Sequence, residues 1–159
     1  MRVHFRLNAL PVEIEAEADE RLVNVLRREF GLQSMKKNCM QGICGSCTIL
    51  LDDHPVPSCM LPVFAAEGKN LMTLEWLTTL PDYRDIMTAF ETEGITLCGF
   101  CNASTLLTAY ALLHKYGNPS EDSIRSAYIG TVCRCTDIDS IIAAIKRVCR
   151  LKRNKRREK

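Results

Sequence analysis

Apolar and polar residues alternate at the start of the chain, and this pattern predicts two β-strands. Val3, Phe5 and Leu7 share one face of the first strand, and residues 12–16 repeat the alternation. Residues 8–11 between them have the composition of a turn. The sequence therefore predicts a β-hairpin at the N-terminus.

The apolar period then changes from two residues to about 3.6, which is typical of a helix. Leu22, Val25, Leu26 and Phe30 recur at this spacing, and Gly31 stands where a helix C-terminus is expected. Strands are predicted at residues 48–51 and 71–74. The first half therefore has the pattern of a small grasp-like sheet with one helix.

Four helices are predicted after residue 80, which makes the second half a helical bundle. Asp82, Ser120 and Asp139 are candidate N-caps for three of them, and another helix covers about residues 103–116 before Gly117. The β-type pattern stops within residues 77–81. We therefore predict an α+β chain with domains at residues 1–77 and 78–150, followed by a disordered basic tail at residues 151–159.

Nine cysteines are the most informative residues for function, because eight of them form two groups of four. Four thiolates are the ligand set of a [2Fe–2S] cluster. Cys149 falls on the apolar side of the last helix, where we expect a buried free thiol. The first group is Cys39, Cys44, Cys47 and Cys59, and the second is Cys98, Cys101, Cys133 and Cys135.

The first group has the Cys-x4-Cys-x2-Cys…Cys spacing of plant-type ferredoxins. Gly42 and Gly45 allow the loop to take positive φ and to direct N–H groups toward a cluster. A zinc site usually has two separate Cys-x2–4-Cys arms, whereas three cysteines here occupy one nine-residue loop. A disulfide framework is not expected, because the N-terminus lacks the apolar core of a secretory signal. The spacing favours a [2Fe–2S] cluster.

The second group is ambiguous by itself. It consists of two short cysteine clips, Cys98-Gly-Phe-Cys101 and Cys133-Arg-Cys135, with 31 residues between them. Two clips of this kind also hold structural zinc. The residues of this group leave zinc and iron–sulfur equally open.

The four cysteine segments, in this order, resemble the iron–sulfur subunit of the molybdenum hydroxylases, the xanthine dehydrogenase and aldehyde oxidoreductase family. The resemblance covers nearly the whole chain. It implies a β-grasp, ferredoxin-like [2Fe–2S] domain followed by a four-helix-bundle [2Fe–2S] domain. It also implies electron transfer from a molybdopterin-binding catalytic subunit through the second cluster, then through the first, to an FAD-binding subunit or another acceptor.

Several residues differ from the pattern of the resembled family. Leu97 replaces a glutamine that contacts the pterin, and Asn102-Ala103-Ser104 replaces Thr-Pro-Gly, so Asn102 or Ser104 becomes the candidate N-cap of the next helix. Asp137 and Asn38 each stand where glycine is common. All eight cysteines are retained, so we expect both clusters, while the contact with molybdopterin is altered.

The overall composition agrees with a role in electron transfer and excludes several other classes. The formal net charge is +2, which gives no reason to expect nucleic acid as a partner. No apolar stretch is long enough to span a membrane, so we expect a cytoplasmic protein. No nucleophile constellation or phosphate loop is present, so we expect no catalytic residue and no substrate site on this chain. Two alternatives are a free-standing two-cluster ferredoxin or redox sensor, and a zinc-stabilised interaction module.

Overall fold

The predicted N-terminal hairpin is present, and its turn is tight. A computed structural model describes residues 1–131 and 133–157, with side chains described up to residue 155. Strand β1 (Arg2–Leu7) pairs antiparallel with β2 (Leu10–Glu15). The two turn residues, Asn8 and Ala9, have φ of 51° and 67°. Positive φ at both positions matches the twist of a two-residue hairpin.

The helix predicted after the hairpin is α1 (Leu22–Phe30), and Gly31 ends it in the left-handed conformation at φ 63°. Three further strands follow: β3 (Thr48–Leu51), β4 (His54–Pro57) and β5 (Asn70–Met72). The sheet order is β2-β1-β5-β3-β4, with β1 and β5 parallel and the other neighbours antiparallel. This mixed sheet with one helix is the grasp-like domain that the sequence predicts.

The second half is helical, which confirms the α+β fold class. A one-turn helix begins at Leu74, where the sequence predicts the end of a strand. Within the described part of the chain, no helix is both long enough and apolar enough to cross a membrane. The helices are α2 (Leu74–Leu77), α3 (Pro81–Thr92), α4 (Asn102–Tyr116), α5 (Glu121–Ala127) and α6 (Ile138–Arg157).

Of the candidate N-caps Asp82, Ser120 and Asp139, only Ser120 caps its helix. Ser120 caps α5 by accepting a hydrogen bond from the Ser123 N–H at 3.2 Å. Asp82 instead lies in the first turn of α3, because Pro81 takes the first helical position. Asp139 likewise lies inside α6, and Asp137 accepts the hydrogen bond from the Ser140 N–H at 2.8 Å. Asp137, which stands where the resembled family has glycine, thus caps α6.

The prediction of a disordered tail at residues 151–159 is wrong for the residues that the structure describes, because α6 continues to Arg157. Lysine and arginine are good helix formers and suit the negative end of the helix dipole. Lys152 pairs with Asp82, and Lys155 Nζ lies 2.6 Å from Asp85 Oδ1. Both aspartates lie on α3, so these contacts hold α6 along that helix. Residues 158–159 lie outside the described residues.

Two hydrophobic cores share strand β3. Ile49 belongs to the core of the grasp-like domain, which extends from Val3 to Leu71. Leu50 faces the other way and belongs to the helical core, which continues from Leu77 to Val148. Successive residues of a strand point to opposite faces, so one strand can serve both cores. The cores change between Leu71 and Leu77, while the division at residue 77 stays a prediction.

A hydrogen-bonded carboxylate links the two halves. Glu75 of α2 accepts hydrogen bonds from the Ser34 N–H at 2.8 Å and from the Ser34 hydroxyl at 2.7 Å. Ser34 lies in the segment that leads to the first cysteine group. Burial alone would raise the pKa of Glu75, but the two hydrogen bonds from Ser34 lower it below its ordinary value.

We predict that Glu75→Gln lowers the free energy of unfolding at pH 7 by about 1 kcal/mol, because a charge-assisted hydrogen bond is replaced by a neutral one. The folded pKa lies below the ordinary value of 4.5. The carboxylate's contribution is therefore present above that pH and is lost as the pH falls through the folded pKa. Urea denaturation at pH 7 and at acid pH measures the difference. Glu91→Gln on the exposed surface of α3 is the control, and an equal loss in both variants would contradict the prediction.

Candidate iron–sulfur sites

The loop that carries Cys39, Cys44 and Cys47 is wound by residues with positive φ. Gly42 and Gly45 have φ of 73° and 71°, as the sequence predicts, and Met40 has φ of 55°. This backbone conformation directs two N–H donors toward Cys39. The backbone nitrogen of Gln41 lies 3.5 Å from Cys39 Sγ, and that of Cys44 lies 3.4 Å from the same sulfur. Such donors stabilise a thiolate.

Two arginines associated with α1 hold the loop from outside. Arg21, which precedes the helix, donates to the carbonyl of Met40 at 2.6 Å, and Arg27 donates to the carbonyl of Met35 at 2.6 Å. The Met35 side chain is fully buried in the first core. The loop is therefore anchored to the domain on both sides of Cys39.

Cys44 has a polar neighbour within the motif. Its Sγ lies 3.1 Å from the hydroxyl of Ser46. Burial alone would raise the pKa of Cys44, but hydrogen bonds with Ser46 and with Cys39 lower it to about 6. The thiolate, which is the form that binds iron, is thus favoured at this position.

Strand register brings Cys59 to Cys47. Thr48 at the start of β3 pairs with Pro57 at the end of β4. Cys47 and Ser58, the residues just outside this ladder, are therefore neighbours, and Cys59 follows directly. Ser58 fixes the approach, because its hydroxyl donates to the carbonyl of Cys47 at 2.6 Å. The thiols of Cys47 and Cys59 interact directly, and burial raises the pKa of Cys47 to about 11. The ligand that is most distant in sequence is thus in place.

The first clip of the second group lies at the N-terminus of α4. Cys101 is the N-cap residue of this helix and is buried. Asn102 Oδ1 accepts from the Gly99 N–H at 3.0 Å, and the Thr105 hydroxyl lies 3.6 Å from Cys101 Sγ. The prediction that Asn102 or Ser104 caps α4 is therefore wrong, since the Asn102 side chain reaches back to the clip instead.

The second clip lies just before α6. The side chains of Cys101 and Cys133 interact, as do those of Cys98 and Cys135. Burial, together with Cys133, raises the pKa of Cys101 to about 11. Cys98 and Cys135 are exposed. The Phe100 N–H lowers the pKa of Cys98, with further lowering from Cys135 and Lys36.

The eight predicted ligands thus lie in four pairs. Among the described residues, no three or more His, Cys, Asp or Glu side chains surround one point as a single ion requires. A [2Fe–2S] cluster takes two protein ligands on each of its two irons. The donor chemistry and the inward N–H groups suit that cluster at both sites. The pairs are Cys39 with Cys44, Cys47 with Cys59, Cys98 with Cys135, and Cys101 with Cys133.

The two cysteine groups are adjacent in space. A Cβ atom placed on Gly45 would lie 2.8 Å from Ser104 Oγ and 3.3 Å from the carbonyl oxygen of Gly130. Ser104 is buried in α4, and its hydroxyl lies 2.6 Å from the hydroxyl of Thr131. A second bridge is the ammonium of Lys36, which donates to the carbonyl of Gly99. The backbone of the first cysteine loop therefore packs against α4 and the segment that leads to the second clip.

The residues that join the two sites have no clear signal in the sequence. The sequence indicates Ser104 only as a candidate helix cap, and Lys36 carries no motif signal beyond its position three residues before Cys39.

Cys149, predicted to be buried, is half-buried at the edge of the helical core, where burial raises its pKa. Leu97 also packs against the helical core.

Two family models match the chain. Residues 10–93 match a "2Fe-2S iron-sulfur cluster binding domain", and residues 73–146 match a "[2Fe-2S] binding domain". Each model covers one cysteine group. The second match favours iron–sulfur over zinc at the group whose spacing is ambiguous.

Relatives and a solved structure match over almost the full length. The nicotinate dehydrogenase small FeS subunit of Eubacterium barkeri is 34% identical, over 91% of this chain and 92% of that protein. The xanthine dehydrogenase iron-sulfur-binding subunit of Escherichia coli O157:H7 is 33% identical, over 87% of this chain and 88% of that protein. A chain of quinoline 2-oxidoreductase from Pseudomonas putida 86 superposes with a TM-score of 0.84 at 36% identity, over 97% of this chain and 96% of that one. With both cysteine groups in place, the chain belongs to the family of two-cluster [2Fe–2S] subunits of the molybdenum hydroxylases.

Proposed function

We propose that this chain is the electron-transfer subunit of a molybdenum hydroxylase complex. It would carry electrons from a molybdopterin centre on a partner to an FAD-binding subunit or another acceptor. The observation that supports the proposal is the packing of Gly45 against Ser104, which brings the two cysteine groups close together.

Each site has a defined set of protein ligands in this proposal. A bound [2Fe–2S] cluster supplies reversible one-electron transfer. The chain supplies the thiolates and fixes their spacing. Cys39, Cys44, Cys47 and Cys59 would hold the first cluster, and Cys98, Cys101, Cys133 and Cys135 would hold the second.

Backbone donors at the first site would favour the reduced form. The N–H groups of Gln41 and Cys44 approach Cys39 Sγ, and the Ser46 hydroxyl approaches Cys44 Sγ. Hydrogen bonds to ligand sulfur stabilise the added negative charge and raise the reduction potential. The loop is anchored by Arg21 and Arg27, so these donors need little reorganisation.

Both sites have large apolar side chains exposed beside them. Ile43 and Met60 flank the first site and are 60% and 55% exposed. Phe100 and Ile129 flank the second and are 41% and 84% exposed. Large apolar side chains that stay exposed beside a functional site are typical of contact surfaces for other proteins. They favour a subunit that contacts a partner beside each site over a freely diffusing ferredoxin.

The substrate site is proposed to lie on the molybdenum-bearing partner and not on this chain. The relatives described above are named for nicotinate, xanthine and quinoline. All three compounds contain a nitrogen heterocycle, so we propose a substrate of that class for the complex. A reducing compartment such as the cytoplasm would keep the eight thiols available for iron.

Anaerobically purified protein should contain about four iron and four acid-labile sulfide per chain, because two [2Fe–2S] clusters require them. EPR of the dithionite-reduced protein should show two distinguishable [2Fe–2S] signals. Molybdenum should co-purify with the chain when its partners are co-expressed. Zinc with half of this iron would overturn the two-cluster proposal. Two clusters with no molybdenum-containing partner would instead support a free-standing ferredoxin or redox sensor.

Cys47→Ser should abolish the EPR signal of the first site and leave that of the second reducible, because the two ligand sets share no residue. Iron and sulfide should fall by about half. Cys149→Ser is the matched control, since this cysteine lies in neither set, and it should retain both signals. Loss of both signals in Cys47→Ser would contradict two independent sites.

Gly45→Ala should separate the two sites, because the new methyl group would meet the buried Ser104 and a backbone carbonyl. The measurement is the magnetic interaction between the two reduced clusters by EPR, which weakens as their distance grows. Gly68→Ala is the matched control: Gly68 has φ of 69°, and nothing lies within 4 Å of its added Cβ. Both variants bear similar backbone strain, of about 1–2 kcal/mol. An equal change of the EPR interaction in both would contradict the prediction.

A further inference from the structure

Lys36 belongs to the first site through its backbone. Its N–H donates to the carbonyl of Ser46 at 2.9 Å, and its own carbonyl accepts from the Ser46 hydroxyl at 3.4 Å. Ser46 in turn contacts Cys44 Sγ at 3.1 Å. The backbone position of Lys36 is therefore fixed by the same serine that contacts a predicted iron ligand.

The side chain of Lys36 belongs to the second site. It is half-buried, and its ammonium donates to the carbonyl of Gly99, between Cys98 and Cys101. Asn102 Oδ1 accepts a hydrogen bond from the N–H of the same Gly99 at 3.0 Å. This second hydrogen bond restricts rotation of the Cys98–Cys101 clip away from the lysine. One residue thus spans both cysteine groups.

We propose that Lys36 is a positioning residue that fixes the first clip of the second site against the first site and raises the reduction potential of the second cluster. This inference rests on the proposed function, because it requires a [2Fe–2S] cluster at each site. Reduction by dithionite adds one electron, and hence one negative charge, to a cluster. A fixed, half-buried positive charge stabilises that added charge more than one in water does.

Two nearby positive charges provide the contrast. Lys37 is the next residue, but its side chain is exposed. Arg134 lies between Cys133 and Cys135 in sequence and is also exposed. Water and salt screen the electric field of an exposed charge, so its effect on a distant group is weak. Lys36 is distinguished by its partial burial and its bond to the clip.

The test is a redox titration of the full chain, purified with its partners and followed by the two EPR signals. Lys36→Met should shift the midpoint potential of the second-site signal to a lower value and leave the first-site signal in place. Lys36→Gln should do the same, since it keeps an N–H donor for Gly99 but loses the charge. Lys36→Arg should restore the potential, and Lys37→Met should leave it unchanged. The signals are assigned with Cys47→Ser.

Each other outcome has a distinct meaning. Wild-type protein without two [2Fe–2S] clusters would refute the proposed function itself. Full iron and sulfide in Lys36→Met and Lys36→Gln with unchanged potentials would overturn the inference alone. An equal shift in Lys37→Met, or a shift confined to the first-site signal, would also overturn it. If both neutral variants lost the second cluster, Lys36 would be a structural residue with no part in setting the potential.

Discussion

The close approach of Gly45 to Ser104 is the contact on which the arrangement of the two sites depends. A Cβ at position 45 would lie 3.1 Å from the Ser104 Cβ and 3.3 Å from the Gly130 carbonyl oxygen. Any side chain there would force the first cysteine loop away from α4. Ser104 cannot give way easily, because it is buried and hydrogen-bonded to Thr131. The left-handed glycine thus shapes its own loop and makes room for the other domain.

The rest of the fold holds this contact in place. β3 leads directly out of the first loop at Thr48, and its two faces enter different cores through Ile49 and Leu50. The strand therefore fixes the first loop relative to α4, the helix that begins at the second site. Sites placed on strands and helices are held more accurately than sites on free loops. Lys36 and Glu75 add polar links between the two halves.

Local signals in the sequence are sufficient for features that depend on neighbours in the chain. The hairpin follows from alternation, the end of α1 from Gly31, and the cysteine groups from spacing. The wrong assignments share a different cause. Asp82 and Asn102 have the right chemistry for N-caps, but a proline and a cysteine clip beside them change which atoms need partners. The basic tail is helical because α3 offers it aspartates, a fact of tertiary packing.

Unequal burial of the two sites gives a physical reason for the proposed partner at the second one. Cys44, Cys47 and Cys59 are buried within the first domain, whereas Cys98 and Cys135 of the second site are exposed. A partner that covers Phe100 and Ile129 would remove water from the second site. Removing water lowers the local dielectric and strengthens charge interactions. The effect of the Lys36 charge on the reduction potential of the second site would therefore increase on assembly. Docking would then influence both the position of this site and its reduction potential.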